Sequence, residues 1–298
     1  MPAYVVEQTE PVCLTCDEPL KSMDWMSPYV WRAQDKLWLM MRAVPHPLRP
    51  EDPTGVIWCG CSDDGLDFVM DERPVIVPGP EEADAGGVED PTVHLIDDGL
   101  MIFYTGVEAS RDQGSLLVAT GRDLDSLKKR AVMLKAPKGQ GNIKEATLAQ
   151  ASDKSWRLFY EFARDGASRI GMAKSPKLGG EWSAMEEMVP IRENSWDNWH
   201  LSTGPIVQLP GKDPVMFYNG ATMDARWRIG WVSFDPDFTR ITDRGQEPML
   251  VPPPAKDRAA TDIAFAASTV VQPDGCIHLY YSLEDRRPAR AHVRFYED

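Results

Sequence analysis

The stretch GGVEDPTVHLIDDGLMIFYTG, Gly86–Gly106, reads as a β-hairpin. An apolar run opens at Pro91, breaks at the turn residues Asp97-Asp98-Gly99, and resumes as a second run of aliphatic and aromatic residues. Proline is tolerated at the first position of a strand, where its missing N–H costs little. Folding gives no such reason for the two carboxylates before it, Glu89 and Asp90.

Four other stretches share the pattern. They are MSPYVWRAQDKLWLMMRAV from Met26, KEATLAQASDKSWRLFYEFA from Lys144, STGPIVQLPGKDPVMFYNGA from Ser202 and FAASTVVQPDGCIHLYYSLE from Phe265. Aligned on Ser27, Asp90, Glu145, Gly204 and Ala267, the copies recur at spacings of 63, 55, 59 and 63 residues. A further β-rich piece follows most of them, such as GVIWCGCSDDGLDF, SRIGMAKSPKLGGEW and the terminal ARAHVRFYED. Two hairpins per repeat, five times over, predict an all-β fold: a five-bladed β-propeller with four antiparallel strands per blade, one domain over residues 1–298. A sandwich followed by a second domain fits five phased repeats poorly. The last repeat runs out after its third strand, so AYVVEQ near the N-terminus is expected to complete that blade and close the ring.

At 43% hydrophobic and 26% charged, the 298 residues have an ordinary globular composition. The formal charge of −14 argues against nucleic acid and anionic membranes as partners, since both call for a basic face. Neutral sugars meet no such penalty. No apolar run approaches a membrane span, and MPAYVVEQTEPVCL has neither a basic nor an apolar leader region, so a cytoplasmic location is expected. Five cysteines fit reduced thiols better than a disulfide framework. Cys59 and Cys61 alternate along a strand and read as small buried thiols rather than as half of a zinc site. The five histidines are scattered, so no metal site is expected.

The first strand of each propeller blade lines the central channel, so Ser27, Asp90, Glu145, Gly204 and Ala267 are expected to converge at one end of it. Fifteen residues later, across each hairpin, come Arg42, Thr105, Asn219 and Ser282; the third copy has one extra turn residue and brings Glu161. Burying these charges unpaired would cost several kcal/mol each, so water or a ligand is needed among them. SWDNWHLSTG adds Trp196 and Trp199 beside Asp197 and His200, indoles near carboxylates that suit a sugar surface.

These residues resemble glycoside hydrolase family 130, the mannoside phosphorylases and mannosidases, which are five-bladed propellers. GVEDPT resembles the family's E-D-P-R motif, with Thr92 in place of the arginine; Lys144-Glu145-Ala146 resembles its K-D-A. SWDNWHLSTGP resembles its W-D…G-x-G-P segment, and Tyr280-Tyr281-Ser282-Leu283-Glu284-Asp285 its terminal Y-Y-G-A-A-D. The resemblance implies that Asp90 is the general acid of an inverting glycosidase, acting through a hydroxyl of the bound mannose. It implies an oligosaccharide substrate held by Arg42, Glu89, Lys144, Glu145, Trp196, Asp197, His200, Asn219 and Asp285, with no cofactor.

Family phosphorylases hold inorganic phosphate with basic side chains in their L-H-R and Y-H-G segments. Here those segments read LFYEFA and FYNGA, so Tyr160-Glu161 and Asn219 stand where cations would be. Arg42 is retained, while the first repeat's S-R-I-G arginine is absent from PTGVIWCG. A carboxylate facing an anion about 4 Å away costs ~4 kcal/mol at an effective dielectric of about 20. Hydrolysis of β-mannosides, with Glu161 as the base that activates water, is therefore the expected chemistry. The alternatives are a phosphorylase whose phosphate is held by Lys144, Arg42 and His200, and a non-catalytic carbohydrate-binding propeller.

Overall fold

In a computed structural model, which describes residues 3–136, 140–254 and 262–297, the regular structure is almost entirely β-strand, joined by turns and loops. Among the described residues no helix is long and apolar enough to cross a membrane. Each sequence repeat builds one sheet region. The first combines Met23–Ala33, Lys36–Pro45, Val56–Ser62 and Asp67–Met70, and adds Cys13–Thr15 as a parallel edge strand that the repeat pattern did not predict. The second runs through Gly87–Ile96, Gly99–Val107, Gly114–Gly121 and Lys128–Lys129, and the third through Gly141–Gln150, Trp156–Arg164, Ala167–Ser175 and Ser183–Ala184. The fourth is split into a three-stranded and a four-stranded sheet, because its hairpin strands are interrupted by Thr203-Gly204-Pro205 and by Phe217-Tyr218.

The fifth sheet has the order Ala3–Pro11, Arg287–Tyr296, Ile277–Leu283, Ala264–Val271. The N-terminal strand therefore completes the last repeat, antiparallel to the C-terminal strand, with Ala3 opposite Tyr296 and Pro11 opposite Ala289.

The innermost strands touch in cyclic succession: Met23–Ala33, Gly87–Ile96, Gly141–Gln150, Ile206–Val207, Ala264–Val271, and back to the first. They enclose a cavity of about 130 Å³ to which all five contribute, from Tyr29 through His94, Thr147 and Pro205 to Ser268. Apolar clusters fill the junctions between neighbouring sheets. Trp58 packs between the fifth and first, Tyr104 between the first and second, Phe103 between the second and third, Tyr218 between the third and fourth, and Trp231 between the fourth and fifth. Alternation along each strand explains this, since both faces of every sheet meet a neighbour and both carry apolar residues.

Candidate active site

The repeats converge through one backbone device. In the first three sheets the pairing shifts between the inner two strands, at Met26/Tyr29, Glu89/Thr92 and Lys144/Thr147. At each shift the aligned residue takes a left-handed conformation: Ser27 at φ 51°, Asp90 at φ 50°, Glu145 at φ 52°. Such a bulge leaves its residue unpaired and re-aims the side chain. A left-handed non-glycine residue costs roughly 1–2 kcal/mol, and a following proline restricts Ser27 and Asp90 further. Strain of this kind gathers at functional sites, held by the surrounding ladder.

Glu89 is 2% exposed and lies between two cations, accepting from Arg42 Nη2 at 2.8 Å and from Lys144 Nζ at 2.9 Å. Asp90, 5% exposed, accepts from Ser27 Oγ at 2.7 Å and has Arg42 Nη1 at 3.7 Å. Arg42 is fixed in turn by the Thr54 carbonyl at 2.7 Å. Burial would raise the Glu89 carboxyl, but Arg42 and Lys144 hold it below its ordinary value. Burial would likewise discharge both cations; Glu89 and then Asp90 more than offset it, so each binds its proton more tightly than usual.

Three further carboxyls shift the other way. Glu145 is pushed well above the ordinary range by burial and by the charges of Asp90 and Glu161. Glu161 is raised mainly by burial, which the nearby Ser202 hydroxyl and Ser168, donating to it at 2.9 Å, only partly offset. Asp285 is raised by burial and by Asp90. Glu161 pairs with neither Arg42, whose partners are Glu89 and Asp90, nor Arg164, whose partner is Glu187. Burial thus works against the charge of these three carboxyls, while Arg42 and Lys144 are held charged by Glu89 and Asp90.

These shifts predict a stability trade-off. A carboxyl whose folded pKa is raised stabilises the native state fully only below its unfolded value, and loses that contribution as pH rises through the folded value. Glu145→Gln is expected to raise stability by about 0.5–2 kcal/mol at pH 7–8, and to gain nothing at pH 4, where the wild-type side chain is already largely protonated. Urea melts of both proteins at the two pH values check this; equal gains at both would show that Glu145 is not proton-linked.

His200 lies at the rim of the cluster. Its Nδ1 accepts from the Ser168 backbone N–H at 3.1 Å, its ring packs on Trp227 at 5.5 Å, and burial lowers its pKa. The beneficiary of the WD pair is the fold. Trp196 stacks on Tyr218 at 5.5 Å, donates to the Gln246 carbonyl, and covers Gly220 and Gly230 so closely that a Cβ at either would meet its ring within 2.7 Å. Asp197 is 0% exposed, ion-paired to Arg244 at 2.6 Å and Arg192 at 3.0 Å, with Tyr218 Oη donating at 2.6 Å. Asn219 is also fully buried; it donates to the Thr203 and Ala266 carbonyls and accepts from the Ala266 N–H, bridging the fourth and fifth sheets. Trp196, Asp197 and Asn219, expected from the sequence to hold substrate, thus have structural partners for their polar groups. Ser27, Ser168 and Ser202, which orient Asp90 and Glu161, were missed. Ser27 alone had a signal, its alignment with Asp90; the other two come from strands whose register only the fold reveals.

The family model described as beta-1,4-mannooligosaccharide phosphorylase matches residues 53–291. A beta-1,2-mannobiose phosphorylase of Thermoanaerobacter sp. (strain X514) is 26% identical over 252 residues, spanning 78% of this chain and 79% of that protein. The solved beta-1,2-mannobiose phosphorylase of Listeria innocua, in complex with beta-1,2-mannobiose, superposes with a TM-score of 0.76 at 18% identity, covering 96% of this chain and 90% of its own. A mannose phosphorylase of Leishmania mexicana in complex with a phosphate ion superposes with a TM-score of 0.71 at 16% identity, over 98% of this chain and 92% of its own.

Proposed function

The chain belongs to glycoside hydrolase family 130, that of beta-1,4-mannooligosaccharide phosphorylase, and on that premise we propose that it is an inverting β-mannoside phosphorylase built as a single five-bladed propeller. The cyclic contacts of the inner strands and the apolar junction clusters support the propeller. One observation carries the reaction: Arg42 and Lys144 flank Glu89 from two different repeats, two cations brought together at the cluster where an anionic acceptor could be held. As a carboxylate Glu161 would repel phosphate; burial raises its carboxyl, which favours the neutral form that can donate a hydrogen bond to a phosphate oxygen.

In this mechanism Asp90 supplies the proton taken up by the glycosidic oxygen as the C–O bond breaks. A phosphate oxygen attacks the anomeric carbon from the opposite face, held by Lys144 and Arg42, and gives mannose 1-phosphate with inversion. Asp90 is then reprotonated from solvent. Glu89 sets the two cations, while Glu145, His200 and Asp285 line the sugar site. The chemistry calls for no cofactor beyond the phosphate substrate.

Hydrolysis is the second reading, favoured by Glu161 accepting from Ser168 and making no ion pair among the described residues, with burial raising its carboxyl as suits a general base. Incubation with β-1,2- and β-1,4-mannobiose, with and without phosphate, separates the two. Mannose 1-phosphate formed only with phosphate is the expected result. Free mannose released at an equal rate without phosphate would establish hydrolysis, and binding without turnover would end both readings. Glu161→Gln sharpens the test: a phosphorylase keeps its rate within about tenfold, ~1.4 kcal/mol of barrier, whereas a hydrolase that uses Glu161 as base loses nearly all of it.

A further inference from the structure

The sheet that joins the two ends of the chain carries a second cluster. Cys276, His278 and His292 each present one ligating atom, and these atoms lie within 4.8 Å of one another. Register explains why. His278 sits opposite His292 on adjacent antiparallel strands, with the rings 4.6 Å apart. Cys276, a buried free thiol, precedes His278 by two positions and so presents its side chain on the same side.

Each imidazole is already held by one nitrogen. The Glu10 carboxylate lies 2.7 Å from His292 Nε2, and Arg290 Nη2 donates to that carboxylate at 2.8 Å. The Gln272 side-chain amide lies 3.1 Å from His278 Nδ1. Glu10 accepts the His292 Nε2–H and leaves Nδ1 its lone pair; for His278 to ligate through Nε2, the Gln272 side-chain amide turns over so that its oxygen accepts from Nδ1–H. A ligating histidine anchored in this way through its other nitrogen is the usual support around a protein-bound metal.

We propose that Cys276, His278 and His292 bind a divalent transition metal of borderline softness, zinc above all, on the ring-closing sheet. One thiol and two imidazoles suit zinc and its congeners and offer nothing to calcium or magnesium, which take oxygen ligands. The Cys276 thiol loses its proton to solvent as the metal–sulfur bond forms, and water fills the fourth position. Zn–S near 2.3 Å and Zn–N near 2.0 Å set ligand separations at roughly 3.5 Å. Rotamer adjustment of His278 and His292, which are not fully buried, supplies that contraction. The ion would fasten Ile277–Leu283 to Arg287–Tyr296 and, through Glu10, engage the strand Ala3–Pro11. It lies apart from Asp90 and its neighbours, so its role is in the ring and not in the reaction. The sequence hid the set because its two histidines are 14 residues apart on different strands.

Titrating the metal-free full chain with Co²⁺ tests the proposal. One equivalent is expected to bind, with a thiolate-to-cobalt charge-transfer band and the visible bands of a tetrahedral site. Cys276→Ser should abolish the charge-transfer band, and Glu10→Gln should weaken binding by about 10–100-fold. Zn²⁺ should raise the melting temperature of the wild type and not that of Cys276→Ser, with β-mannoside turnover unchanged in both. Should Cys276→Ser fail to fold, His278→Ala at the less buried position reads the same loss. No saturable binding, or a band that survives Cys276→Ser and disappears in the Cys13→Ser/Cys16→Ser double variant, would overturn the site.

Discussion

Asp90→Asn is expected to fold as the wild type does and to lose turnover of a β-mannoside by about 10²–10⁴-fold, the usual contribution of a positioned general acid. Asparagine accepts the left-handed conformation that Asp90 adopts, and its carbonyl oxygen can accept the Ser27 hydroxyl as the carboxylate does. The variant therefore keeps the bulge and its anchor, and lacks only the proton. Because protonation of the leaving oxygen belongs to the transition state, kcat should fall while KM changes little. An aryl mannoside with an acidic leaving group needs less protonation and should suffer a smaller loss. Steady-state kinetics on both substrates, alongside a thermal melt, measure this. A variant that melts normally and keeps most of its rate on the natural disaccharide would remove Asp90 from the chemistry.

The second large effect is on folding. Asp197→Ala is expected to destabilise the protein by about 3–5 kcal/mol, the cost of removing one partner from a buried ion pair. Arg192 and Arg244 would be left facing each other with no counter-charge, and the Tyr218 hydroxyl would lose its acceptor. Burial alone would raise the Asp197 carboxyl; Arg192 and Tyr218 hold it below its ordinary value instead, so the native state retains the charge. The melting temperature should drop on the order of 10 °C, with kcat and KM of the folded fraction unchanged at low temperature. A stable variant with a large rise in KM would return Asp197 to the substrate site.

The two variants mark where the sequence was legible. Hairpin spacing exposed the repeats because the first three sheets share one bulged pairing, and the aligned Ser27, Asp90 and Glu145 coincide with its left-handed residues. The seam of the fifth sheet was readable from a repeat one strand short. Two-body relations across the chain were not. The tryptophan and carboxylate of SWDNWH looked like a sugar platform because nothing local shows that Arg244, 47 residues on, closes over Asp197. Asn219 was expected to hold substrate, and its amide spans to Ala266 in the next sheet. Glu161 was assigned a full charge from its residue type, whereas its burial is a property of the assembled ring. The parallel strand Cys13–Thr15 and the split fourth sheet lie outside the repeat pattern, so repeat counting could not find them.

The seam between Ala3–Pro11 and Arg287–Tyr296 also fixes an order of events on the ribosome. Glu10 and its partner Arg290 are 280 residues apart. At about 5–20 residues per second, the first strand emerges and then waits about 15–60 s for its partner to be made. Four of the five repeats can pair their own hairpins as they leave the exit tunnel, but the last cannot finish its sheet until synthesis has passed it. For that interval the nascent chain carries an unmatched strand, with Tyr4 waiting for the apolar junction it later fills, and a chaperone or a neighbouring nascent chain can occupy that edge first. The yield of native protein should therefore depend on how crowded the polysome is as well as on the stability of the finished ring.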